Sequence, residues 1–564
     1  MARWRNIPAS WLITPLVLLF FWLAVSSLVG DSPTMDEQNH LARGLAFLRT
    51  GDPRLSLEHP PLVNALSALP VALLMPDVTL PLDDPSWTEL SPPDVYWYVF
   101  AEQMMWHSGN DVTTMIFLAR LPIVFLTLGL ALVGYHFARE VWGRPSAPFA
   151  FFFLLFDPNV LAHGRYTTTD LGGAAFLFLA AFLLWRMWRP PQWTWRYWLL
   201  AALGLGLAFG SKLSNLIFVP IFALLALLPL YPGRGWKTAV RRLVQYLTAG
   251  LASLLVVWAI FGFEWGPFRY AAAPWAALNQ FNGPMPTFWA GIAQILALGS
   301  GGRAAFLLGQ FSTDGFVAYF PVAFLSKTPL PLLLLLPLAA GLLLWRKESR
   351  KTAVFLLLPP LLYFLFNLQS GLNIGYRHLL PMLPFLFVLS SGVAVAPSPI
   401  PNLQSPISSL QSLLLLAAAS LLVITLWIYP HFLSYFNVLA GGPANGGRIL
   451  VDSNIDWGQD LLRLQRWMAE NDVAQVKLGW FGTADPDYYG LNYEPLPGFP
   501  RPQFYNLWTH PPFDTAVPEP GIYAISVSSL WESQWGEKTV YPWFRQREPD
   551  DRVGYSILIF KVTE

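Results

Sequence analysis

The chain has 564 residues, of which 54% are hydrophobic and only 12% are charged. Soluble domains carry about 25% charged residues, so this composition excludes an ordinary soluble protein and predicts a polytopic membrane protein. The formal net charge of +1 gives no sign of a nucleic-acid partner, and the absence of cysteine excludes disulfides and thiolate chemistry.

Apolar runs of membrane-spanning length recur along the chain, each allowing roughly 17–25 helical residues, and about eleven meet this criterion. The first run follows Arg3 and Arg5 and lacks a small-residue cleavage site, so we interpret it as a retained anchor rather than a signal peptide. The runs lie near residues 10–30, 114–137, 146–163, 171–188, 197–213, 214–232, 241–264, 327–345, 352–370, 378–396 and 408–430.

Arginine and lysine are concentrated in every second connection between these runs, and the positive-inside rule then places the N-terminus in the cytoplasm. The loops 31–113 and 265–313 and the tail 431–564 are predicted on the outer face of a plasma (inner) membrane. Besides Arg3 and Arg5, the basic residues of this argument are Arg139, Arg144, Arg186, Arg189, Arg196, Arg234, Lys237, Arg241, Arg242, Arg346, Lys347, Arg350 and Lys351.

The C-terminal tail differs in composition from the rest of the chain. It becomes polar near residue 443, shows a helical pattern over 457–470, and contains short apolar runs at 476–481, 522–527 and 555–560 that indicate buried strands. We therefore expect a mainly α-helical polytopic domain over 1–430. A small extracytoplasmic α/β domain is predicted over 431–564.

Two acidic residues, Asp36 and Glu37, emerge directly after the first apolar run. Thr34 and Glu37 have the T-x-x-E spacing of a capping box, and apolar residues follow at helical spacing. The segment 35–50 is thus predicted to be an amphipathic helix lying on the membrane surface. Glu37 is explained equally well as a helix cap, and Asp36 by attraction to the helix dipole. Their position at the outer interface favours a functional interpretation.

Further polar residues follow on the same face. Glu58 and His59 precede Pro60 and Pro61, a weakly specific pattern when taken alone. The turn 157–170 is rich in polar residues, and its alternative explanation is a local ion pair between Asp170 and Arg165. Its other charged or imidazole side chains are Asp157 and His163.

Basic residues also gather at the outer ends of the apolar runs, against the positive-inside bias. Each one alone is explained by snorkelling, but together they predict an anionic ligand, because arginine and lysine are the usual partners of phosphate. They are Arg120, Lys212, Lys327, Arg377 and His378. Carboxylates near such cations suit transfer of a group from a membrane-bound phosphate carrier, with a carboxylate as general base. Without a P-loop or Rossmann fingerprint, no nucleotide cofactor is expected.

The order of these segments resembles the GT-C class of membrane glycosyltransferases, specifically glycosyltransferase family 39. This family includes protein O-mannosyltransferases and the aminoarabinose transferases that modify lipid A. The matching segments lie in the N-terminal third: Asp36-Glu37, Glu58-His59-Pro60-Pro61-Leu62, Arg120, Phe156-Asp157, Arg165-Tyr166 and Asp170. The segments YFPVAFLSKTPLP, GLNIGYRHLLPMLPF and VDSNIDWGQDL resemble a bacterial branch with a C-terminal extracytoplasmic domain.

The resemblance implies a GT-C fold and inverting transfer of a hexosyl- or mannosyl-type sugar from a polyprenyl-phosphate donor. The acceptor would be a protein hydroxyl, a lipid or a glycan on the outer face. By position, Asp36 would be the catalytic base and Glu37 would assist it. The carrier phosphate would bind Arg120, Lys327 and Arg377, and the remaining site-lining residues would be Glu58, His59, Asp157, Arg165, Asp170 and His378. Some members use a divalent metal ion, for which Asp170 and Glu58 are the candidate ligands.

Two features depart from the family pattern. The loop 265–313 is too short for the β-trefoil of eukaryotic protein O-mannosyltransferases, and His59 stands where aminoarabinose transferases tend to have lysine. The alternative hypothesis is a transporter or flippase of a lipid-linked or anionic substrate. It is disfavoured because transporters place their charges near the midplane and often contain inverted repeats. A third hypothesis assigns the tail a role as a sensor or assembly scaffold.

Overall fold

A computed structural model of the chain shows a mainly helical protein with small sheets near its C-terminal end. Arg3, Arg5 and Arg234 of the orientation argument lie outside the described residues, and the loop 265–313 and the tail 431–564 are described in part. The structure describes residues 9–91, 96–190, 192–231, 235–268, 275–301, 305–396, 410–496, 518–532, 534–535 and 538–563.

The first helix is followed by a group of short helices that fold together. Their bounds are α1 Ala9–Leu28, α2 Glu37–Thr50, α3 Pro61–Leu74, α4 Pro85–Thr88 and α5 Tyr96–Glu102. Helix α2 ends where Gly51 adopts a left-handed backbone, the C-terminal signal that the sequence predicted. Helices α2 and α3 approach closely at Gly44, where a β-carbon would lie only 2.1 Å from the carbonyl oxygen of Asn64.

The prediction that 35–50 lies on the membrane surface is wrong for most of its length. Residues 37–46, polar ones included, are buried inside the protein. The polar face is buried because its side chains have partners there, among them Arg120 for Glu37 and Asn64 for His40. Helical periodicity located the helix but gave no information on what covers its polar face.

All eleven predicted apolar runs coincide with helices. After α1 these are α6 Val112–Val141, α7 Ala147–Phe156 with α8 Pro158–His163, α9 Thr169–Trp188, α10 Trp195–Ser211, α11 Phe218–Leu227, α12 Trp236–Ile260, α15 Leu330–Trp345, α16 Lys347–Asn367, α17 Leu383–Ser391 and α18 Leu410–Ile428. Two more helices precede α15 and were not among the predicted runs: α13 Pro286–Gly301 in the loop and α14 Tyr319–Lys327. In the described part of the chain, six helices are long and apolar enough to cross a membrane, or seven if α14 and α15 form one span bent by 110°. The chain is thus a multi-pass membrane protein, and the count of about eleven spans stays a prediction.

Two of the apolar helices end at polar residues. Helix α7 ends at Asp157, whose carboxylate accepts hydrogen bonds from the backbone N–H groups of Asn159 and Val160 and so caps α8. Helix α14 ends at Lys327, where the chain bends before Pro329. Broken helices place backbone polar groups and side chains inside the bundle, which is tolerated where protein surrounds them.

The remaining elements lie in the loop 265–313 and the tail. Short antiparallel pairs join β1 Trp265–Pro267 to β2 Asn282–Pro284, and β3 Ala305–Leu307 to β4 Gln310–Ser312. The tail contains α19 Pro443–Gly446, α20 Leu461–Glu470, β5 Val476–Gly479, β6 Tyr493–Pro495, β7 Gly521–Ser526, α21 Val527–Glu532, β8 Gln534–Trp535, β9 Lys538–Thr539, α22 Pro542–Arg545, β10 Asp551–Val553 and β11 Ile557–Val562.

The predicted strands of the tail form one mixed sheet with the order β10-β11-β7-β5-β6. Strand β5 pairs in parallel with β6 and β7, and β11 pairs antiparallel with β7 and β10. The largest buried core continues from membrane helices into this region, since it contains both Phe20 of α1 and Trp457 of the tail. The boundary at residue 430 stays a prediction.

Candidate functional site

Glu37 is fixed inside the protein by Arg120. The guanidinium Nε lies 2.8 Å from Oε1 and Nη2 lies 2.7 Å from Oε2, and both side chains are at most 2% exposed. The carboxylate also accepts the backbone N–H groups of Thr34 and Thr167, each at 2.8 Å. The first of these bonds is half of the predicted capping box. Glu37 is therefore saturated by structural partners.

The predicted phosphate role of Arg120 conflicts with this geometry. Beyond Glu37, its guanidinium donates to the backbone carbonyls of Asp31 and Ser32 at 3.1 and 2.9 Å. The Arg120 side chain is only 1% exposed, and these hydrogen bonds hold the segment after α1 against α6. Arg120 therefore fixes the position of the segment that carries Asp36.

Asp36 differs from its neighbour because its side chain is 23% exposed. Its Oδ2 accepts a hydrogen bond from Arg377 at 2.6 Å. The same Arg377 nitrogen lies 3.6 Å from Asp170, and Asp170 also pairs with Lys212. The structure thus brings two carboxylates and two cations, drawn from four separate parts of the chain, into one row. We define this row (Asp36, Arg377, Asp170 and Lys212) as the ion chain.

The charge beside Asp36 sets its protonation. Burial raises the pKa of this carboxyl, but the charge of the Arg377 guanidinium and its hydrogen bond outweigh burial and leave the pKa below its usual value of 3.8. Asp36 is therefore ionised throughout the neutral range. An ionised and partly accessible carboxylate is able to accept a proton, as a general base must.

Two histidines lie beside the ion chain. His40 and His59 pack edge to face with their ring centroids 4.7 Å apart, His40 bonds to Asn64 at 2.9 Å, and His59 bonds to Thr169 at 3.1 Å. Burial, helped by neighbouring positive charge, lowers the pKa of His40 to about 4 and that of His59 well below its usual value. Both rings are therefore neutral at neutral pH, so His59 does not supply the charge that lysine would at this position.

Glu58 lies at the edge of this group. Its carboxylate is 3.8 Å from Arg43 and accepts a hydrogen bond from Gln294 of α13 at 3.1 Å. His378 is half-buried next to Arg377, and its carbonyl accepts a hydrogen bond from Tyr363. The site-lining roles of these two residues stay predictions.

Arg165 does not pair with Asp170, the local explanation offered by the sequence. It pairs instead with Asp31, which also binds Tyr166 at 2.7 Å and Arg463 of α20 at 2.6 Å. Burial acts to raise the pKa of Asp31, but the surrounding arginines lower it to about 2. Arg165 and Asp31 therefore belong to a buried cluster that joins the first loop to the tail.

Lys327 and Asp157 also have structural roles. The Lys327 ammonium donates to the carbonyls of Leu433 and Tyr435, at 2.9 and 3.0 Å, and to that of Asn454. Three acceptors saturate an ammonium group, so the predicted contact with carrier phosphate is not supported. Asp157 is fully buried as the cap of α8.

The residues proposed as metal ligands do not fit a metal centre in this arrangement. Asp170 is engaged by Lys212 and Arg377, and Glu58 by Arg43 and Gln294. In the part of the chain that the structure describes, no three His, Asp or Glu side chains converge as a cation site. We therefore derive no chemical step through a metal ion.

An apolar cavity of about 650 Å³ lies between α15, α18 and the segment 435–442. Several leucines and valines that line it are largely exposed, which is unfavourable in water but suited to lipid. Tyr435 and Phe436 form part of its wall and contact Lys327 on their other side. The cavity is thus a place for a hydrocarbon chain rather than for charged groups.

Sequence reasoning did not identify His40, Asp31, Trp457 or Arg463 as members of this region. His40 had one usable signal, since it lies four residues after Asp36 and so on the same helical face. Arg463 and Trp457 contact Asp31 and Met35 of the first loop, in each case across more than 400 residues of sequence. No local pattern could have indicated those contacts.

Comparison with known families gives one match, which covers residues 109–261. The matching family is described as dolichyl-phosphate-mannose-protein mannosyltransferase. The resemblance drawn from the sequence is thereby confirmed over a region that contains Arg120, Asp157, Arg165 and Asp170. No curated protein matches the chain.

Several solved structures are similar to this one. ArnT from Cupriavidus metallidurans bound to undecaprenyl phosphate is 14% identical, with 98% of each chain covered and a TM-score of 0.49. The archaeal oligosaccharyltransferase AglB from Archaeoglobus fulgidus, in complex with an inhibitory peptide and a dolichol-phosphate, is 13% identical. That match covers 74% of this chain and 55% of the other, with a TM-score of 0.42.

Proposed function

We propose that this protein is a membrane glycosyltransferase that moves a sugar from a polyprenyl-phosphate donor to an acceptor hydroxyl, with Asp36 as the general base. The observation that carries the proposal is the ion chain, in which an accessible carboxylate stands beside buried cations. The donor class is supported by the match at residues 109–261 to a family described as dolichyl-phosphate-mannose-protein mannosyltransferase.

The chemistry follows from the position of each charge. Asp36 accepts the proton of the acceptor hydroxyl while that oxygen forms a bond to the anomeric carbon. The bond from the anomeric carbon to the phosphate oxygen breaks, and its electron pair leaves with the polyprenyl phosphate. Arg377 and Lys212 stabilise the negative charge of this leaving group. Attack from the opposite face inverts the anomeric configuration.

Arg377 is the best-placed ligand for the carrier phosphate. It is 8% exposed, and its Nε has no hydrogen-bond partner among the described residues. In the absence of donor its charge is shared between Asp36 and Asp170. A bound phosphate would draw Arg377 toward itself and leave Asp36 free to act on the acceptor.

The apolar cavity supports a lipid-linked donor. An isoprenoid chain needs an apolar surface that opens to the bilayer, and the cavity of about 650 Å³ offers one beside α15 and α18. We place this reaction on the outer face of the plasma membrane, with the tail extracytoplasmic, on the charge distribution of the sequence. The acceptor class is left open among protein, lipid and glycan.

Binding of undecaprenyl phosphate tests the donor proposal. We expect the purified protein to form a one-to-one complex in native mass spectrometry. Arg377→Gln should weaken that complex about 10- to 100-fold, because one charge-assisted phosphate contact is lost. Lys212 remains in this variant, so residual binding should be measurable.

Arg139→Gln is the matched control, since Arg139 is an exposed arginine at the opposite end of α6 from Arg120. It should bind undecaprenyl phosphate as the unmodified protein does. Equal binding by the protein and Arg377→Gln would contradict the role of the ion chain. Absence of binding by the unmodified protein would contradict the donor class.

A further inference from the structure

The segment Ser453–Gln459 of the tail lies between the two parts of the chain that carry Asp36 and Arg377. On one side, the backbone N–H of Met35 donates to the carbonyl of Trp457 at 2.9 Å. On the other side, the backbone N–H of Tyr376 donates to Oδ1 of Asn454 at 2.9 Å. Met35 directly precedes Asp36, and Tyr376 directly precedes Arg377, so each bond is next to a member of the ion chain. We name Ser453–Gln459 the bridging segment.

More hydrogen bonds fix the bridging segment to the first loop. Ser32 donates from its backbone N–H to the carbonyl of Gln459 at 3.0 Å and from its hydroxyl to that of Gly458 at 2.8 Å. Next to it, Arg463 pairs with both Asp31 and Asp460. The position of Asp36 therefore depends on a docked tail.

The same segment is fixed to the chain before Arg377. The hydroxyl of Ser453 donates to the carbonyl of Ile374 at 2.6 Å. Asn454 also donates from its amide to the hydroxyl of Tyr319 at 2.9 Å. These groups are all buried, so the hydrogen bonds are protected from water.

Trp457 contacts Arg377, a member of the ion chain. Its indole is 1% exposed, and the Arg377 guanidinium lies 4.4 Å from the ring centroid. A flat aromatic face limits where the planar guanidinium can lie and attracts its charge. The rings of His163 and Tyr166 flank the indole at 5.9 and 6.3 Å, so its own orientation is fixed.

From these contacts we infer that Trp457 is a positioning residue. It holds the Arg377 guanidinium beside Asp36, in the position from which Arg377 binds the carrier phosphate. The inference rests on the proposed function. It also gives the tail a defined task, because the bridging segment completes a site whose charged groups all come from the preceding part of the chain. The tail is thus part of the transferase site rather than an appended module.

Native mass spectrometry with undecaprenyl phosphate tests this inference through a double-mutant cycle. Trp457→Leu should weaken binding roughly tenfold, the size of a desolvated cation–π contact. Trp457→Phe should restore most of it, because an aromatic face is kept. In the Arg377→Gln background, Trp457→Leu should cause no further loss, since the residue through which it acts is gone.

Trp467→Leu is the matched control for loss of a buried indole in the tail. Trp467 lies on α20, where it bonds to Asp551 away from the ion chain, so this variant should bind normally. Independent, additive losses from Trp457→Leu and Arg377→Gln would overturn the inference, as would normal binding by Trp457→Leu. If the unmodified protein fails to bind, the donor proposal falls first and this inference falls with it.

Discussion

Asp36→Asn is expected to abolish sugar transfer while the protein remains folded and still binds the carrier. The amide keeps the shape of the side chain but cannot accept the acceptor proton, and removal of a general base costs about 10²- to 10⁴-fold in rate. The side chain is 23% exposed and engages only one charged partner closely, so the cost in stability should be small. The measurement is the rate of transfer from a polyprenyl-phosphate sugar.

The pH profile provides a second signature of the same residue. Because Arg377 keeps the pKa of Asp36 below its usual value of 3.8, the base stays ionised across the neutral range. Transfer by the unmodified protein should fall only as the pH drops into the acid range below that value. Asp77→Asn, an exposed acid in the same loop, is the matched control and should leave the rate unchanged. Full activity in Asp36→Asn would exclude Asp36 as the base.

Arg120→Ala should cause a large loss of stability. The substitution leaves Glu37 charged, 0% exposed and without its bidentate partner, and breaking a buried ion pair from one side costs about 3–5 kcal/mol. The expected result is a marked fall in the unfolding temperature and poor yield from the membrane. Arg139→Ala changes an exposed arginine of the same helix and should alter the unfolding free energy by no more than about 0.5 kcal/mol.

The same variant separates the structural role of Arg120 from the phosphate role implied by the family resemblance. A phosphate ligand can be removed with little effect on folding, because its partner is the donor. Arg120→Ala with normal thermal stability but lost undecaprenyl phosphate binding would therefore contradict the structural role. Glu37→Gln should destabilise the protein in parallel, since it acts on the same pair from the other side.

The sequence was sufficient to locate the helices. Apolar runs identify membrane helices because backbone groups in lipid must be satisfied within the segment, and each predicted run contains a helix. The strands of the tail were predicted from short apolar runs, because a strand buried on both faces is apolar throughout. The helix break at Lys327 was harder to predict, because the carbonyls that bind its ammonium come from a distant part of the chain.

The four members of the ion chain were identified from the sequence, but their pairing was not. Asp36, Asp170, Arg377 and Lys212 were all singled out as polar groups at the outer ends of apolar runs. Their pairing joins residues as far apart as 341 positions. Arg120 and Lys327 were assigned to phosphate because a buried cation looks the same in sequence whether carbonyls, a carboxylate or a ligand satisfies it. Only the fold shows that internal partners already occupy both residues.

The tail shows the limit of sequence reasoning most clearly. The segment VDSNIDWGQDL was noted only for its resemblance to a bacterial branch, and a helical pattern was predicted from residue 457, which indicates only local structure. In the structure the helix begins at Leu461, and the preceding residues instead bridge the chains that carry Asp36 and Arg377. The role of the bridging segment thus depends on the two parts of the chain that the fold places on either side of it.

The most direct test of the central claim is product analysis with the purified protein and a panel of polyprenyl-phosphate sugars, in the presence of acceptor-containing membrane extract. We expect the unmodified protein to release free polyprenyl phosphate from at least one donor, detected by mass spectrometry, and Asp36→Asn to release none. Absence of release from every donor, together with movement of undecaprenyl phosphate between the leaflets of proteoliposomes, would contradict it and identify a flippase instead.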